Sequence, residues 1–186
     1  MSEKRWTTID KTGWGEGPWL TEPDKIQWVD WATGLDCLIV RSNPHIGSLC
    51  GYVGLPPNHP LHGSDYKDMD FVDVYGGLTF ADSCLEGFPE GEGVCHVPEP
   101  GRPKDVWWLG FDCGHFMDLS PAFEIRDREM RQKHGWPDTI EMLPSELGGY
   151  ATGLEKTYKP VPYVRAEVEH LAKQVATKQL PSGECP

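Results

Sequence analysis

Residues 106–115 constrain the fold of this chain most, because they form an aromatic, apolar run that ends in polar groups. Side chains alternate between the two faces of a strand. The apolar face would consist of Trp107, Leu109, Phe111 and Cys113. The opposite face carries Trp108 and Asp112, and His115 lies just beyond the end of the strand. The segment therefore predicts a core strand that delivers polar side chains to a site at its end.

Length and composition predict one globular domain. The chain has 186 residues, of which 38% are hydrophobic, enough for a proper core. Its 21 glycines and 17 prolines predict many turns and long loops. A net charge of −12 makes duplex nucleic acid and anionic membranes poor partners, because both are bound mainly through Lys and Arg. A small anionic ligand remains compatible with a locally basic pocket.

The cysteines and the first residues indicate a compartment. None of the six cysteines forms a Cys-x-x-Cys pair, so a structural zinc ribbon is not expected. The start of the chain shows no apolar signal segment, and no run is long enough to cross a bilayer. These features predict a cytoplasmic protein with reduced thiols, most of them buried in the core, and no membrane partner.

Periodicity predicts the other elements. A Thr-Glu-Pro-Asp start predicts a helix over 21–32, with a strand at 26–29 as the alternative. Further strands are expected at 35–41 and 48–55, as two pieces at 71–75 and 78–81, and as a short β-like stretch at 94–97. A second helix is expected over 123–134.

An apolar stripe near the C-terminus completes the fold prediction. The stripe has helical spacing and consists of Val161, Val164, Val168, Leu171 and Val175. Burial against the sheet is preferred over docking of a partner helix. We expect a single α+β domain over 1–180, mainly an antiparallel sheet with the C-terminal helix packed on it and long loops. An irregular arm at 1–20 and a loose tail at 181–186 flank it, and a homo-oligomer is compatible.

The end of the Trp-rich strand is the first candidate site. Asp112, Cys113, His115 and Asp118 offer either an acid/base pair or metal ligands. If the protein is an enzyme, the catalytic candidates are Asp112, His115 and His96. The alternative is that Asp112 caps the following turn and His115 is a surface loop residue.

Histidines elsewhere widen the metal hypothesis to zinc or manganese. The candidate ligands are His59, His62, His96, Asp112, His115 and Asp118. Pro60 separates His59 from His62, so no helical face presents both rings. Each histidine taken singly is as well explained as an ordinary buried or exposed residue, and no cofactor is predicted.

A glycine pair marks the third candidate site. Gly76 and Gly77 permit positive φ and close approach of a phosphate or carboxylate, Tyr75 offers a ring for stacking, and Thr79 a hydroxyl. Arg41 and Arg102 lie near predicted strand ends and would hold phosphates, although each is equally explained as an ion-paired charge. A turn without a ligand is the alternative for the glycines.

Four sequence blocks resemble an uncharacterised family of small proteins from phages, prophages and other mobile elements. The blocks are Cys50-Gly51-Tyr52-Val53-Gly54, His59-Pro60-Leu61-His62-Gly63, Tyr75-Gly76-Gly77-Leu78-Thr79, and the run from Trp107 to His115. The resemblance covers roughly residues 17–177 and implies no established activity. Where a His-Gly-Gly block is expected in that family, this chain has Tyr75, so no catalytic role of that histidine applies here.

The resemblance implies action against host defence in the host cytosol, and three functions follow. The preferred one is sequestration of a nucleotide-derived immune signal, with Trp108 or Tyr75 stacking on a base. Gly76, Gly77, Arg41 and Arg102 would hold phosphates, and Asp112, Thr79 and His115 would bond ribose or base edges. The first alternative is a metal-dependent hydrolase of a cyclic nucleotide or related phosphodiester. The second is an acidic protein inhibitor of a host enzyme.

Overall fold

The computed structural model describes residues 3–84, 87–136 and 155–178. Within these ranges the chain forms a six-stranded antiparallel sheet with the order β1-β2-β3-β4-β6-β5, together with two α-helices. The strands are β1 (Lys4–Trp6), β2 (Lys25–Val29), β3 (Asp36–Arg41), β4 (Leu49–Leu55), β5 (Phe80–Asp82) and β6 (Trp107–Asp112). The helices are α1 (Pro121–His134) and α2 (Val161–Ala176). The predicted α+β domain is confirmed.

The helix α2 covers one face of the sheet, as the apolar stripe predicts. Val164, Val168, Leu171 and Val175 are all 0% exposed. They pack against the inward side chains of the sheet, among them Leu109 and Phe111 of β6. Gly51 of β4 permits the close contact, because a Cβ atom there would lie 2.5 Å from Val168 Cγ2. The helix is therefore held by apolar burial at a point where the sheet presents no side chain.

The segment that joins β5 to β6 covers the other face. Val94 and Val106 pack there with Leu38, Tyr52 and Trp108 in a second apolar cluster. Outside this cluster, β2 presents polar side chains on this face, and the same segment provides their hydrogen-bond partners. Lys25 donates to three carbonyl oxygens, those of Glu90, Glu92 and Cys95. Both faces of the sheet are thus interior, one covered by a helix and one by an irregular chain.

Several predicted elements differ in the structure. The helix expected over 21–32 is wrong and its strand alternative is right, because β2 fits between β1 and β3 with Ile26 and Trp28 directed to the α2 side. Residues 71–75 form no strand, and of the second expected piece, 78–81, only the last two residues belong to a strand, β5 (Phe80–Asp82). The stretch 94–97 also forms no strand, because the side-chain amide of Gln27 binds both backbone groups of Val97.

The N-terminal arm is more ordered than expected. It contains β1 and two short 3₁₀ helices, Thr12–Trp14 and Pro18–Leu20. A buried carboxylate, Asp24, anchors it by accepting the backbone N–H groups of Thr8 and Ile9, each at 2.9 Å. The same carboxylate binds two buried cations, Lys11 Nζ at 2.7 Å and Arg41 Nε at 2.9 Å. The ion pairs of Asp24 with Lys11 and Arg41 therefore attach the arm to β3. The expected tail at 181–186 lies outside the described residues.

The cysteines correct the expectation of reduced thiols. Cys84 and Cys95 form a disulfide, with Cα atoms 4.8 Å apart, which ties the covering segment to the end of β5. Cys37 and Cys113 are free and buried, and Cys50 is free and half-buried. Across 3–84, 87–136 and 155–178, no helix has the length and apolar character needed to cross a bilayer.

Alkaline pH is expected to destabilise the protein. Burial raises the pKa of the Cys37, Cys50 and Cys113 thiols well above their usual range, so the folded chain keeps three protons that the unfolded chain releases above about pH 8.5. Burial lowers the pKa of Lys25 to about 8. The folded chain therefore releases this proton at a lower pH than the unfolded chain does, which offsets the effect of one thiol. The net difference of about two protons predicts that the free energy of unfolding falls by about 2.7 kcal/mol per pH unit between pH 9 and 10.

Urea unfolding at several pH values measures this slope. The fall should steepen above pH 10, where burial keeps Tyr52 and Tyr158 protonated by raising their pKa. The Cys37→Ala variant is the control, because it removes one of the three thiols and should reduce the fall to about 1.4 kcal/mol per pH unit below pH 10. A free energy of unfolding that stays constant for the wild type from pH 8 to pH 10.5 would contradict the prediction.

Candidate functional site

A buried carboxylate collects the polar side chains that the sequence singles out. Asp118 is 3% exposed. Its Oδ1 accepts the Tyr75 hydroxyl at 2.6 Å, and its Oδ2 accepts the backbone N–H of His115 at 3.0 Å. The ring Nδ1 of His115 lies 3.2 Å from the same Oδ2, and Lys159 Nζ lies 3.7 Å from Oδ1. We call Asp118, Tyr75, His115 and Lys159 the Asp118 hub.

The turn after β6 presents His115 and Asp118. The Asp112 carboxylate accepts the backbone N–H of Gly114 at 2.9 Å, and the carbonyl of His115 accepts the N–H of Asp118. Asp112 thus caps the turn, as its alternative interpretation holds. A parallel bridge between Asp118 and Thr157 then brings the chain before α2 alongside. That bridge places Lys159 next to a carboxylate that is distant in sequence.

The glycine pair shapes the opposite side of the hub. Gly76 and Gly77 have φ angles of +69° and +81°, in the region that favours glycine. A Cβ atom on Gly76 would lie 2.1 Å from Cε1 of His115, whereas one on Gly77 would meet nothing within 4 Å. Gly76 is therefore required both by the turn and by the position of the imidazole. The first and third candidate sites of the sequence are one site in space.

Side chains of α2 complete the surroundings. Tyr75 packs edge-on against His115 and Tyr163, with ring centroids 5.4 and 5.7 Å apart. The ammonium of Lys159 lies 4.9 Å from the centroid of the Tyr75 ring and 5.3 Å from that of Tyr163. Glu167 accepts the backbone N–H of Tyr75 at 3.0 Å. The helix that covers the sheet thus also fixes the turn that carries Tyr75.

The electrostatics of the hub favour proton transfer through the imidazole. A carboxylate only accepts, so the contact with Asp118 places the proton of His115 on Nδ1 and leaves Nε2 with a lone pair. The His115 side chain is 36% exposed. Burial, followed by the hydrogen bond to Asp118, raises the pKa of Tyr75, so its hydroxyl stays a donor. The Asp118 hub therefore combines a positioned base with an adjacent cation.

Three predicted ligand-binding residues serve the fold instead. Trp108 is 0% exposed and its ring packs against His96, so it offers no face for stacking. The Arg41 side chain donates to Asp24, Glu22, Tyr158 and the Gly47 carbonyl. Arg102 donates to Asp36 and to the Gly34 carbonyl. Both arginines, which the sequence offered as phosphate ligands, are committed to protein oxygens.

The remaining candidates lie apart from the hub contacts. Thr79 is exposed and donates its backbone N–H to Gly110. His59 Nδ1 accepts the N–H of Leu61, and His62 lies against Trp107. Of the predicted metal ligands, His115 and Asp118 are in contact with each other. The described part of the chain contains no group of three or more His, Cys, Asp or Glu residues arranged to hold a metal ion.

Two clefts lie elsewhere on the molecule, and no hub residue lines either one. The first has a volume of about 570 Å³, and its charged lining residues are Asp10, Asp24, Arg41 and Glu92. The second has a volume of about 890 Å³, with Asp82, Lys104 and Asp105 as its charged lining residues. In both clefts the acids outnumber the bases.

Sequence reasoning missed Lys159, Tyr163 and Glu167. The signal available for Tyr163 and Glu167 was their spacing of four residues, which places them along one side of a helix beside the apolar stripe, whereas Lys159 lies before α2 and has no such signal. Nothing in the sequence indicates that this side meets Tyr75, since more than eighty positions separate them in the chain. Contact across that distance is a property of the fold.

Comparison with known proteins finds no relative. No protein-family model matches the chain, and neither a curated protein nor a solved structure is found to be similar to it. The resemblance to phage and prophage proteins therefore stays a prediction.

Proposed function

We propose that the protein binds a small nucleotide-derived molecule at the Asp118 hub and withdraws it from solution. The proposal rests on the placement of a cation, an imidazole and two tyrosine rings around the carboxylate of Asp118, which is buried just beneath the surface. Nucleotides combine a phosphate with a flat base, and this combination of side chains matches both parts. The setting that the resemblance implies is the host cytosol, where capture would silence an immune signal.

Lys159 is the phosphate ligand in this proposal. Its ion pair with Asp118 spans 3.7 Å, longer than a hydrogen bond, so its N–H groups are not committed to that carboxylate. Its side chain is 17% exposed. His115 Nε2 adds a polar contact on the same side, and the rings of Tyr75 and Tyr163 provide aromatic surface for the base. This assignment moves the phosphate role from Arg41 and Arg102 to Lys159.

Filtration of a nucleotide panel tests the proposal. The protein is incubated with cyclic di- and trinucleotides and with cyclised ADP-ribose, and the free compounds are quantified by chromatography before and after denaturation. We expect one compound to disappear from the native filtrate in proportion to the protein. The Lys159→Met variant should bind it at least about tenfold more weakly, which corresponds to about 1.4 kcal/mol.

Lys156→Met is the matched control, because Lys156 lies three residues away and pairs with Glu124 instead of the hub. It should bind the ligand like the wild type. Equal losses in the two lysine variants would show that general charge, and not the hub, holds the ligand. If no compound leaves the filtrate, the proposal is wrong, and inhibition of a host enzyme through the acidic surface is the hypothesis to test next.

A further inference from the structure

We propose that the Asp118 hub also cleaves a captured ligand whose ribose 2′-hydroxyl lies next to a phosphodiester. The inference rests on the proposed function, because it requires that a nucleotide-derived ligand binds at this site. Capture is the first step, and the chemistry follows from the residues that face the bound phosphate. The inferred substrate class is a 3′–5′-linked ribonucleotide, cyclic or linear.

His115 is placed as a general base. Its Nδ1 donates to the buried Asp118, while its ring is held between the Gly76 turn and the edge of Tyr75. This geometry fixes both the tautomer and the orientation of the imidazole, leaving Nε2 to accept a proton. Asp118 acts as a positioning residue, because it touches His115 and not the substrate.

Lys159 is placed as the acid and the counter-charge. The ammonium lies 3.7 Å from the carboxylate that also binds the imidazole, and 4.9 and 5.3 Å from the centroids of the Tyr75 and Tyr163 rings. An ammonium stabilises the extra negative charge of a five-coordinate phosphorus and donates a proton to an alkoxide leaving group. The base, His115, and the acid, Lys159, therefore both contact the carboxylate of Asp118.

The attacking group in this proposal is a hydroxyl of the substrate. The thiol nearest in sequence, Cys113, is 2% exposed, and burial raises its pKa, so it stays protonated. The Tyr75 hydroxyl already donates to Asp118. A base and an acid without a protein nucleophile suit a substrate that carries its own hydroxyl near the phosphorus, where intramolecular attack has a high effective concentration.

The step balances without a further reagent. His115 Nε2 removes the proton of the 2′-hydroxyl, the 2′-oxygen forms a bond to phosphorus, and the bond from phosphorus to the 5′-oxygen breaks. The leaving 5′-oxygen takes a proton from the Lys159 ammonium. The products are a 2′,3′-cyclic phosphate and a free 5′-hydroxyl. Solvent then returns a proton from the imidazolium to the lysine amine, which restores the site.

A pair of substrates that differ by one hydroxyl tests the inference. Cyclic di-adenylate with 3′–5′ linkages and its 2′-deoxy counterpart are incubated with the full chain in the presence of a metal chelator, and products are identified by mass spectrometry. We expect both compounds to bind, and only the ribose form to yield a 2′,3′-cyclic phosphate. His115→Asn should slow this reaction by about a hundredfold or more, the usual contribution of a positioned general base.

Two further variants separate catalysis from folding. His170→Asn changes an exposed histidine of α2 that lies outside the hub, and it should leave the rate unchanged. Asp118→Asn should lower the rate and alter the shape of its pH profile, which a purely structural effect on the amount of folded protein would not do.

The outcomes distinguish the inference from the proposed function. Binding of both compounds with full recovery of each would overturn the cleavage and leave the proposed function standing. Binding of cyclised ADP-ribose alone would overturn the cleavage only, and binding of no compound in the panel would overturn both. Cleavage of the deoxy compound at a similar rate would show water as the nucleophile, and loss of activity in the chelator would show a metal-dependent route. Either result would overturn metal-free attack by the 2′-hydroxyl.

Discussion

Asp24→Asn is expected to cost about 3–5 kcal/mol of folding free energy, because it leaves the buried Lys11 without its counter-charge and Arg41 with Glu22 alone. Lys11 and Arg41 both bind Asp24 Oδ1, and their side chains are 3% and 0% exposed. An asparagine keeps the shape of the side chain but removes the negative charge. Small domains are stable by about 5–15 kcal/mol, so the variant should lose a large fraction of its stability.

Urea unfolding of Asp24→Asn beside Asp127→Asn measures this cost. Asp127 pairs with Arg131 at 2.6 Å on the surface of α1, where the two side chains are 37% and 21% exposed. Exposed ion pairs of this kind contribute about 0–1 kcal/mol. The same chemical change thus tests a buried and a solvated pair within one chain. Similar losses in the two variants would show that the N-terminal arm is not held by the charge of Asp24.

Gly76→Ala is expected to disable the Asp118 hub while leaving the protein folded. The alanine Cβ would lie 2.1 Å from His115 Cε1, so the imidazole must leave its position beside Asp118. The positive φ of +69° adds a backbone cost of about 1–2 kcal/mol for any residue other than glycine. We expect ligand affinity to fall at least about tenfold, which is about 1.4 kcal/mol of binding free energy.

Gly77→Ala provides the matched control for this prediction. Its φ of +81° carries a similar backbone cost, but its Cβ would meet nothing within 4 Å. The two variants should therefore lose similar amounts of stability, and only Gly76→Ala should lose ligand affinity. The NMR signals of the His115 ring should move in Gly76→Ala and stay near their wild-type positions in Gly77→Ala. Equal affinities in the two variants would remove His115 from the binding site.

Local periodicity predicts those parts of the fold that depend on one segment alone. The strand β6 and the stripe on α2 are confirmed, because each follows from alternation or helical spacing within a single element. The sequence also assigns Trp108 correctly to the face opposite Leu109 and Phe111. It does not reveal that an irregular segment covers that face, so it offers Trp108 as a ligand contact where the structure buries it.

The error at β2 has a different physical origin. A threonine cap and an early proline favour a helix over 21–32, and these preferences are local. The strand wins because β1 and β3 pair with it on both sides and satisfy its backbone groups. Burial of Lys25 also contradicts the usual placement of lysine, and only the three carbonyl oxygens of the covering segment make it acceptable.

The sequence predicts several residues of the candidate site, but it does not predict that they contact one another. Chemistry alone selects Tyr75, His115 and Asp118, since a ring, an imidazole and a carboxylate stand out beside glycines. Their meeting at one carboxylate depends on how the turn after β6 lies against the chain before α2. The contribution of Lys159 has no local signature, because one lysine before a helix is common.

The origin of the hub in three distant stretches of chain has a consequence for the timing of activity. Tyr75, His115 and Lys159 are joined only when α2 is docked, and Gln174 of that helix fastens the backbone of Asp73 near the glycine turn. A ribosome that has released the first 130 residues therefore holds a chain that has much of its sheet but no place for a ligand. The proposed binding site therefore cannot form until residues 155–178 have been synthesised and α2 has docked on the sheet.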